Sequence, residues 1–107
     1  MMTSWTIEYL SRSSLEKWLD KLSEIQLVSI AKEIELLRLC GNELRMPHSK
    51  ALSKGVFELR ERKFGLRIYY TFQTKKIILL TGGNKDTQQR DITMAYKLNN
   101  ELKNEKI

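Results

Sequence analysis

Three observations on this 107-residue chain predict an α+β domain of order β-α-α-β-β-β-α, with an antiparallel sheet covered by helices on one face. Residues 13–40 space their apolar side chains three and four apart, as helices do. Residues 56–80 switch to the twofold alternation of successive strands, and helical spacing returns near the C-terminus. A short first strand and grouped later strands indicate segregated helices and sheet rather than alternating βαβ units. Hydrophobic content of 41% and charged content of 30% are ordinary for a globular chain. The length is that of a single domain, 1–107, with one modest core.

Each element follows from local pattern. Trp5, Ile7 and Tyr9 alternate, as on one face of a strand. Ser13 and Glu16 have the spacing of a capping box, and Leu15, Trp18, Leu19 and Leu22 form an amphipathic helical stripe. A second helix is predicted from Ile25 to Cys40, with Leu27, Ile30, Ala31, Ile34 and Leu37 on its apolar side. Gly41 and Asn42 end it, because both tolerate the left-handed backbone. The short connection predicts an antiparallel helical hairpin.

Glu43 to Gly55 contains Pro47, the sole proline, and reads as a loop. In the strands that follow, Phe57 and Leu59 alternate with Glu58 and Arg60. Leu66, Ile68, Tyr70 and Phe72 alternate with Arg67, Tyr69 and Thr71. Ile77-Ile78-Leu79-Leu80 is apolar on both sides, as a central strand requires. Gly82-Gly83 lacks the other glycines of a nucleotide loop and is expected to be a bend at the strand's end. Asp86 or Thr87 is placed to cap a last helix striped by Ile92, Ala95, Tyr96, Asn99 and Leu102.

Charge is unevenly distributed. Residues 1–44 carry five basic and seven acidic side chains, whereas residues 45–107 carry fourteen basic and six acidic, a balance of +8 within a net +6. That asymmetry predicts a polyanionic partner for the second half, nucleic acid or an acidic protein. Cys40 is the lone cysteine, so no internal disulfide forms, which suits a reducing cytosol. No apolar run reaches the ~18–20 residues of a membrane span, and a cytoplasmic location is expected. With one histidine, one cysteine and scattered carboxylates, no metal and no cofactor are expected.

The alternation puts Arg60 and Arg67 on one sheet face, opposite the core-facing side chains, and that face is expected to be open. A turn near Lys63 and Phe64 sets the two arginines opposite each other, with Cβ atoms roughly 5 Å apart. Like charges so placed repel, and Glu58 and Glu61 are available to relieve them. An anion site is the functional reason to tolerate the pair; a salt-bridge ladder is the structural one. On an open face, Arg67→Ala would change stability by no more than about 0.5 kcal/mol. Phosphate-loop, dinucleotide and nucleophile-elbow motifs are missing. Metal-free RNA cleavage remains possible: the substrate's 2′-hydroxyl attacks its own phosphate, while cationic side chains stabilise the phosphorane. His48 is a candidate for proton transfer, since an imidazole's ordinary pKa of ~6.5 lies near neutrality.

The segments Met46-Pro47-His48-Ser49-Lys50-Ala51-Leu52, Gly55-Val56-Phe57-Glu58-Leu59-Arg60, Leu66-Arg67-Ile68-Tyr69-Tyr70 and Ile77 to Gln88 resemble the RelE/ParE toxin superfamily of type II toxin–antitoxin systems. Within it they are most similar to the HigB-like, phage-derived addiction module killer proteins. That resemblance implies a RelE-like fold and a ribosome-dependent mRNA endoribonuclease neutralised by a cognate antitoxin. It implies catalytic roles for His48, Lys50, Arg60, Arg67 and Lys85, with His48 or Lys50 moving protons and the other three holding the phosphate. Lys54, Tyr69 and Arg90 are implied as RNA-binding or stacking groups. ParE-like members inhibit DNA gyrase instead, and a non-catalytic module binding nucleic acid or antitoxin is a third reading.

Overall fold

The computed structural model describes residues 4–10 and 14–105. In chain order they form β1 (Thr6–Tyr9), α1 (Leu15–Asp20), α2 (Glu24–Cys40), β2 (Ser49–Ala51), β3 (Val56–Glu61), β4 (Leu66–Gln73), β5 (Lys76–Asn84) and α3 (Gln88–Asn104). The strands make one sheet in the order β1-β5-β4-β3-β2. Its β2–β3, β3–β4 and β4–β5 pairs are antiparallel, and β1 joins β5 in parallel. The α+β class and the order of the predicted elements stand. Among the described residues, no helix is long and apolar enough to cross a membrane.

Both faces of the sheet are covered, which corrects the one-sided expectation. On one face Leu59, Leu66, Ile68, Tyr70, Ile77 and Leu79 pack with Leu15 of α1 and with Ile30 and Leu37 of α2. On the other, Val56, Tyr69, Ile78 and Leu80 pack with Ala95 and Leu98 of α3. The second cluster was readable in principle, since Val56, Ile78 and Leu80 need apolar partners of their own. Only the part of that face beyond the reach of α3 stays accessible.

Helix α2 starts at a capping box in which the Ser23 hydroxyl accepts from the Gln26 amide and the Gln26 side chain accepts from the Ser23 amide. The expected box at Ser13 lies outside the described residues. Gly41 closes α2 with φ +56°, and a Cβ there would come within 1.9 Å of the Trp5 indole nitrogen. The close approach and the left-handed backbone both demand glycine. Trp5 also donates its amide to the Arg38 carbonyl at 2.9 Å, tying the start of β1 to the end of α2.

Two local readings change. The loop expected over 43–55 contains β2, whose Ser-Lys-Ala sequence has no strand propensity of its own. Its pairing to β3, extended by the Arg60 amide donating to the His48 carbonyl at 2.8 Å, makes it a strand. Gly82-Gly83 is not a bend but part of β5. A Cβ on Gly82 would meet Trp18 of α1 at 2.7 Å, and one on Gly83 would meet Asp91 of α3 at 1.9 Å. The missing side chains let a helix close in on each face of the strand.

Glu61, at the end of β3, organises the turn into β4. Its carboxylate accepts from the Ser29 hydroxyl of α2 (2.6 Å) and from the amides of Lys63 (3.0 Å), Phe64 (2.9 Å) and Leu66 (3.4 Å). It is therefore engaged on the helical-hairpin side and does nothing to relieve Arg60 and Arg67. Burial pushes its pKa up, but these hydrogen bonds outweigh burial and hold it below the ordinary value. A depressed carboxylate contributes stability that is present above the ordinary carboxylate range and lost as pH falls through the lowered pKa. Urea midpoints measured from pH 7 to pH 3 should therefore fall below about pH 5. Glu61→Gln should be less stable at pH 7 and show a shallower acid slope.

Candidate functional site

The β3–β4 register sets Arg60 opposite Arg67, as the turn position predicts. Between them the Glu58 carboxylate is fully buried and accepts from Arg60 Nε at 2.7 Å and Arg67 Nη1 at 3.0 Å. Two like unit charges roughly 5 Å apart repel by about 3 kcal/mol at an effective dielectric of 20, whereas opposite charges 4 Å apart attract by about 4 kcal/mol. One carboxylate serving both arginines thus outweighs their repulsion. Its second oxygen accepts from Tyr69 Oη (3.1 Å) and Gln88 Nε2 (2.7 Å). Burial raises the Glu58 pKa, but the bonds from Arg60 and Gln88 and the charges of Arg67 and Arg60 together bring it below the ordinary value. The carboxylate is therefore ionised at neutral pH.

Beside this cluster lies a half-open groove of about 560 Å³. Arg60 and Arg67 form its floor, Arg62, Lys63, Phe64 and Gly65 of the hairpin turn one wall, and Asn84, Lys85 and Asp86 the other. Pro47 and Glu61 complete the lining. Lys85 opens a short 3₁₀ turn, Lys85–Thr87, capped by the Asn84 side chain, which accepts from the amides of Asp86 (2.9 Å) and Thr87 (3.2 Å). Its own amide donates to the Gly65 carbonyl at 3.0 Å, joining the two walls. Five cations against two carboxylates, one of them tied up by the turn, make the groove a receptor for anions.

The structure brings Arg60, Arg67 and Lys85 together in the groove lining and leaves the other expected residues out of it. Lys50 is exposed on β2, in register with Glu58 but outside the groove lining. His48 turns toward α2, where its Nδ1 lies 2.9 Å from Glu33 Oε1, so the ring does not line the groove. Tyr69, expected to stack on RNA, is fully buried. Burial and the neighbouring Glu58 carboxylate push its phenol pKa up, so it acts only as a hydrogen-bond donor to Glu58. Lys54 sits in a left-handed turn with its ammonium 5.7 Å from the Tyr96 ring centroid. Its carbonyl is held by Asn99 Nδ2 at 3.0 Å. Arg90 is largely exposed beside Asp91, away from the groove. Sequence reasoning missed Gln88, Arg62, Lys63 and Asp86. Turn and 3₁₀ residues carry no alternation to orient them, and Gln88 meets Glu58 across thirty residues of chain. Among the described residues, no group of three or more His, Cys, Asp or Glu side chains is placed to hold a metal ion.

The five-stranded sheet and its helix order match the fold of solved RelE structures. Over 89% of this chain and 97% of the other, the fold superposes on a mutant of E. coli toxin RelE in the free state with a TM-score of 0.69, at 12% identity. The P21 crystal form of isolated E. coli RelE gives 0.60 at 10% identity, covering 84% of this chain and 97% of that one. The RelBE2 toxin–antitoxin complex of Mycobacterium tuberculosis gives 0.54 at 17% identity, over 79% and 95%. At these identities the likeness is one of fold. Sequence goes further: residues 17–101 match the family described as phage derived protein Gp49-like (DUF891), and the chain belongs to that family. It is also 35% identical over 100 residues to an uncharacterized protein of Haemophilus influenzae, covering 91% of this chain and 97% of that protein.

The closure of the second sheet face changes one expectation about stability. Arg67 is only 16% exposed and satisfies a buried carboxylate, so it is not a free surface residue. Arg67→Ala should cost about 1–3 kcal/mol, because it leaves Glu58 underbonded. Ile68→Ala, one position along and fully buried on the opposite face, should cost roughly 2–5 kcal/mol through its cavity. Chemical denaturation of both variants tests the ranking.

Proposed function

We propose that this chain is the toxin of a type II toxin–antitoxin pair and cleaves mRNA on the ribosome without a metal ion. The observation that carries the reading is the convergence of Arg60, Arg67 and Lys85 on one groove, within a RelE-type fold. Phosphodiester cleavage through the substrate's own 2′-hydroxyl needs charge stabilisation at the phosphorane above all, and guanidinium groups held in a low-dielectric setting supply it.

In this scheme the 2′-oxygen bonds to phosphorus as its proton leaves, and the bond to the 5′-oxygen breaks. Arg60, Arg67 and Lys85 hold the phosphoryl oxygens. The proton goes to Asp86, the groove-wall carboxylate with no side-chain partner among the described residues. Lys85 hands a proton to the departing 5′-oxygen. His48 is given no step in this scheme, because its ring is paired with Glu33 of α2 and does not line the groove. The products are a 2′,3′-cyclic phosphate and a 5′-hydroxyl.

The partner that restrains such a toxin is an antitoxin with an acidic or amphipathic segment, matched to the +8 balance of residues 45–107. The fold's occurrence in the RelBE2 toxin–antitoxin complex supports this pairing.

Expression of the chain alone should arrest growth and deplete translated messages while sparing untranslated RNA. Purified protein should cut mRNA on ribosomes in EDTA that leaves the particles intact, and should yield cyclic-phosphate ends. Arg67→Ala should lower the cleavage rate a hundredfold or more (about 3 kcal/mol in the transition state) while still folding. Intact messages together with lost gyrase supercoiling would transfer the protein to the gyrase-inhibiting class. A product that carries a 5′-phosphate and depends on magnesium would reject the mechanism.

A further inference from the structure

Arg60 and Arg67 do not face the groove in the same way. Arg60 is bound to Glu58 through Nε, which leaves its two Nη groups, whereas Arg67 is bound through Nη1. Both bonds end on one carboxylate oxygen, and the other oxygen is occupied by Tyr69 Oη and Gln88 Nε2. With four donors on two oxygens, in a side chain with no exposure, the Glu58 carboxylate has no freedom to turn. Arg67 Nε, in contrast, is buried and has no hydrogen-bond partner. A buried donor without an acceptor is destabilising, and its persistence needs an explanation. The grip of Glu58 on Nη1 supplies one: it fixes the guanidinium of this groove-lining residue in an orientation that leaves Nε without an acceptor. A guanidinium held in this way is preorganised for an oxyanion, whose oxygens its planar set of N–H donors matches.

We infer that Glu58 is a positioning residue that holds the Nη pair of Arg60 and the guanidinium of Arg67, both groove-lining residues, in a fixed orientation toward one phosphate group in the groove. The inference rests on the proposed function in taking that phosphate to be the scissile one; phosphate binding itself does not require cleavage.

Electrostatics gives the proposal a distinctive sign. A carboxylate beside an anion site repels the anion, so on charge alone the groove would bind phosphate more tightly without Glu58. A residue that served only to neutralise the arginines would behave that way. A positioning residue does the reverse: without it the guanidiniums lose their fixed orientation, and affinity falls although net positive charge rises.

The test is a titration of the full chain with inorganic phosphate, following the arginine Nε–H signals by ¹⁵N NMR, in the wild type, Glu58→Gln and Gln88→Ala. Gln88 lies outside the groove lining and leaves the charges of Glu58 and both arginines in place. The wild type should show a saturable shift of the Arg67 Nε–H signal. Glu58→Gln should weaken phosphate binding about tenfold or more, the scale set by one charge-assisted hydrogen bond. Gln88→Ala should weaken it severalfold. No saturable shift in the wild type, or equal or tighter binding by Glu58→Gln, overturns the proposal. If Glu58→Gln does not fold, unchanged affinity in Gln88→Ala overturns it instead. Cleavage on ribosomes is measured alongside. Phosphate binding by the wild type without cleavage rejects the nuclease reading and leaves this inference standing. Cleavage by the wild type with phosphate affinity undiminished in Glu58→Gln does the opposite.

Discussion

A carboxylate with no solvent exposure, Glu58, sits between two arginines that the β3–β4 register forces to face each other. Either arginine alone beside the other would be unfavourable, and the carboxylate alone in that position would be worse. Together they form a unit that tolerates burial because every lone pair of the carboxylate has a donor. The demand reaches well beyond the strand. Tyr69 has to be buried to offer its hydroxyl, and α3 has to begin where it does to offer Gln88. The starting point of α3 and the shape of the groove are thus consequences of one charge being kept away from water.

Strand β3 carries a second buried carboxylate, and the two do different jobs on opposite faces. Glu58 holds the groove floor from the α3 side. Glu61 holds the turn that forms one wall, anchoring it to Ser29 of α2. The groove is therefore fastened to both helical layers through a single strand. Rigid support of this kind is what an anion site requires, since donors that need not reorganise are worth most to a developing charge.

Much of this was legible in the sequence, and the parts that were not share a physical reason. Alternation in residues 56–72 fixed which side chains share a face, so the opposition of Arg60 and Arg67 could be read directly. Motif resemblance put Lys85 near them, and the groove joins all three. What periodicity cannot report is which outward face another element later covers. Tyr69 therefore read as an exposed stacking ring, although α3 buries it, and the arginine face read as open. The contact of His48 was hidden for a related reason: its neighbour Glu33 is on α2, fifteen residues upstream, and nothing local predicts the pair. The edge strand β2 was invisible because its pairing partner, not its own sequence, makes it a strand.

The parallel pairing of β1 with β5 sets Thr6 beside Lys76 and Tyr9 beside Leu79. These are among the most sequence-distant contacts in the domain, and a chain leaving the ribosome N-terminus first cannot make them until β5 has emerged. Helices α1 and α2 form from local hydrogen bonds and have no such delay. Lys85 and Gln88 follow β5 directly, so one short stretch of chain delivers the edge pairing, a groove wall and the final ligand of Glu58 together. A nascent chain truncated before residue 85 holds both arginines but lacks the groove. Vectorial synthesis thereby postpones the assembled anion site until β5 and the residues that follow it have emerged.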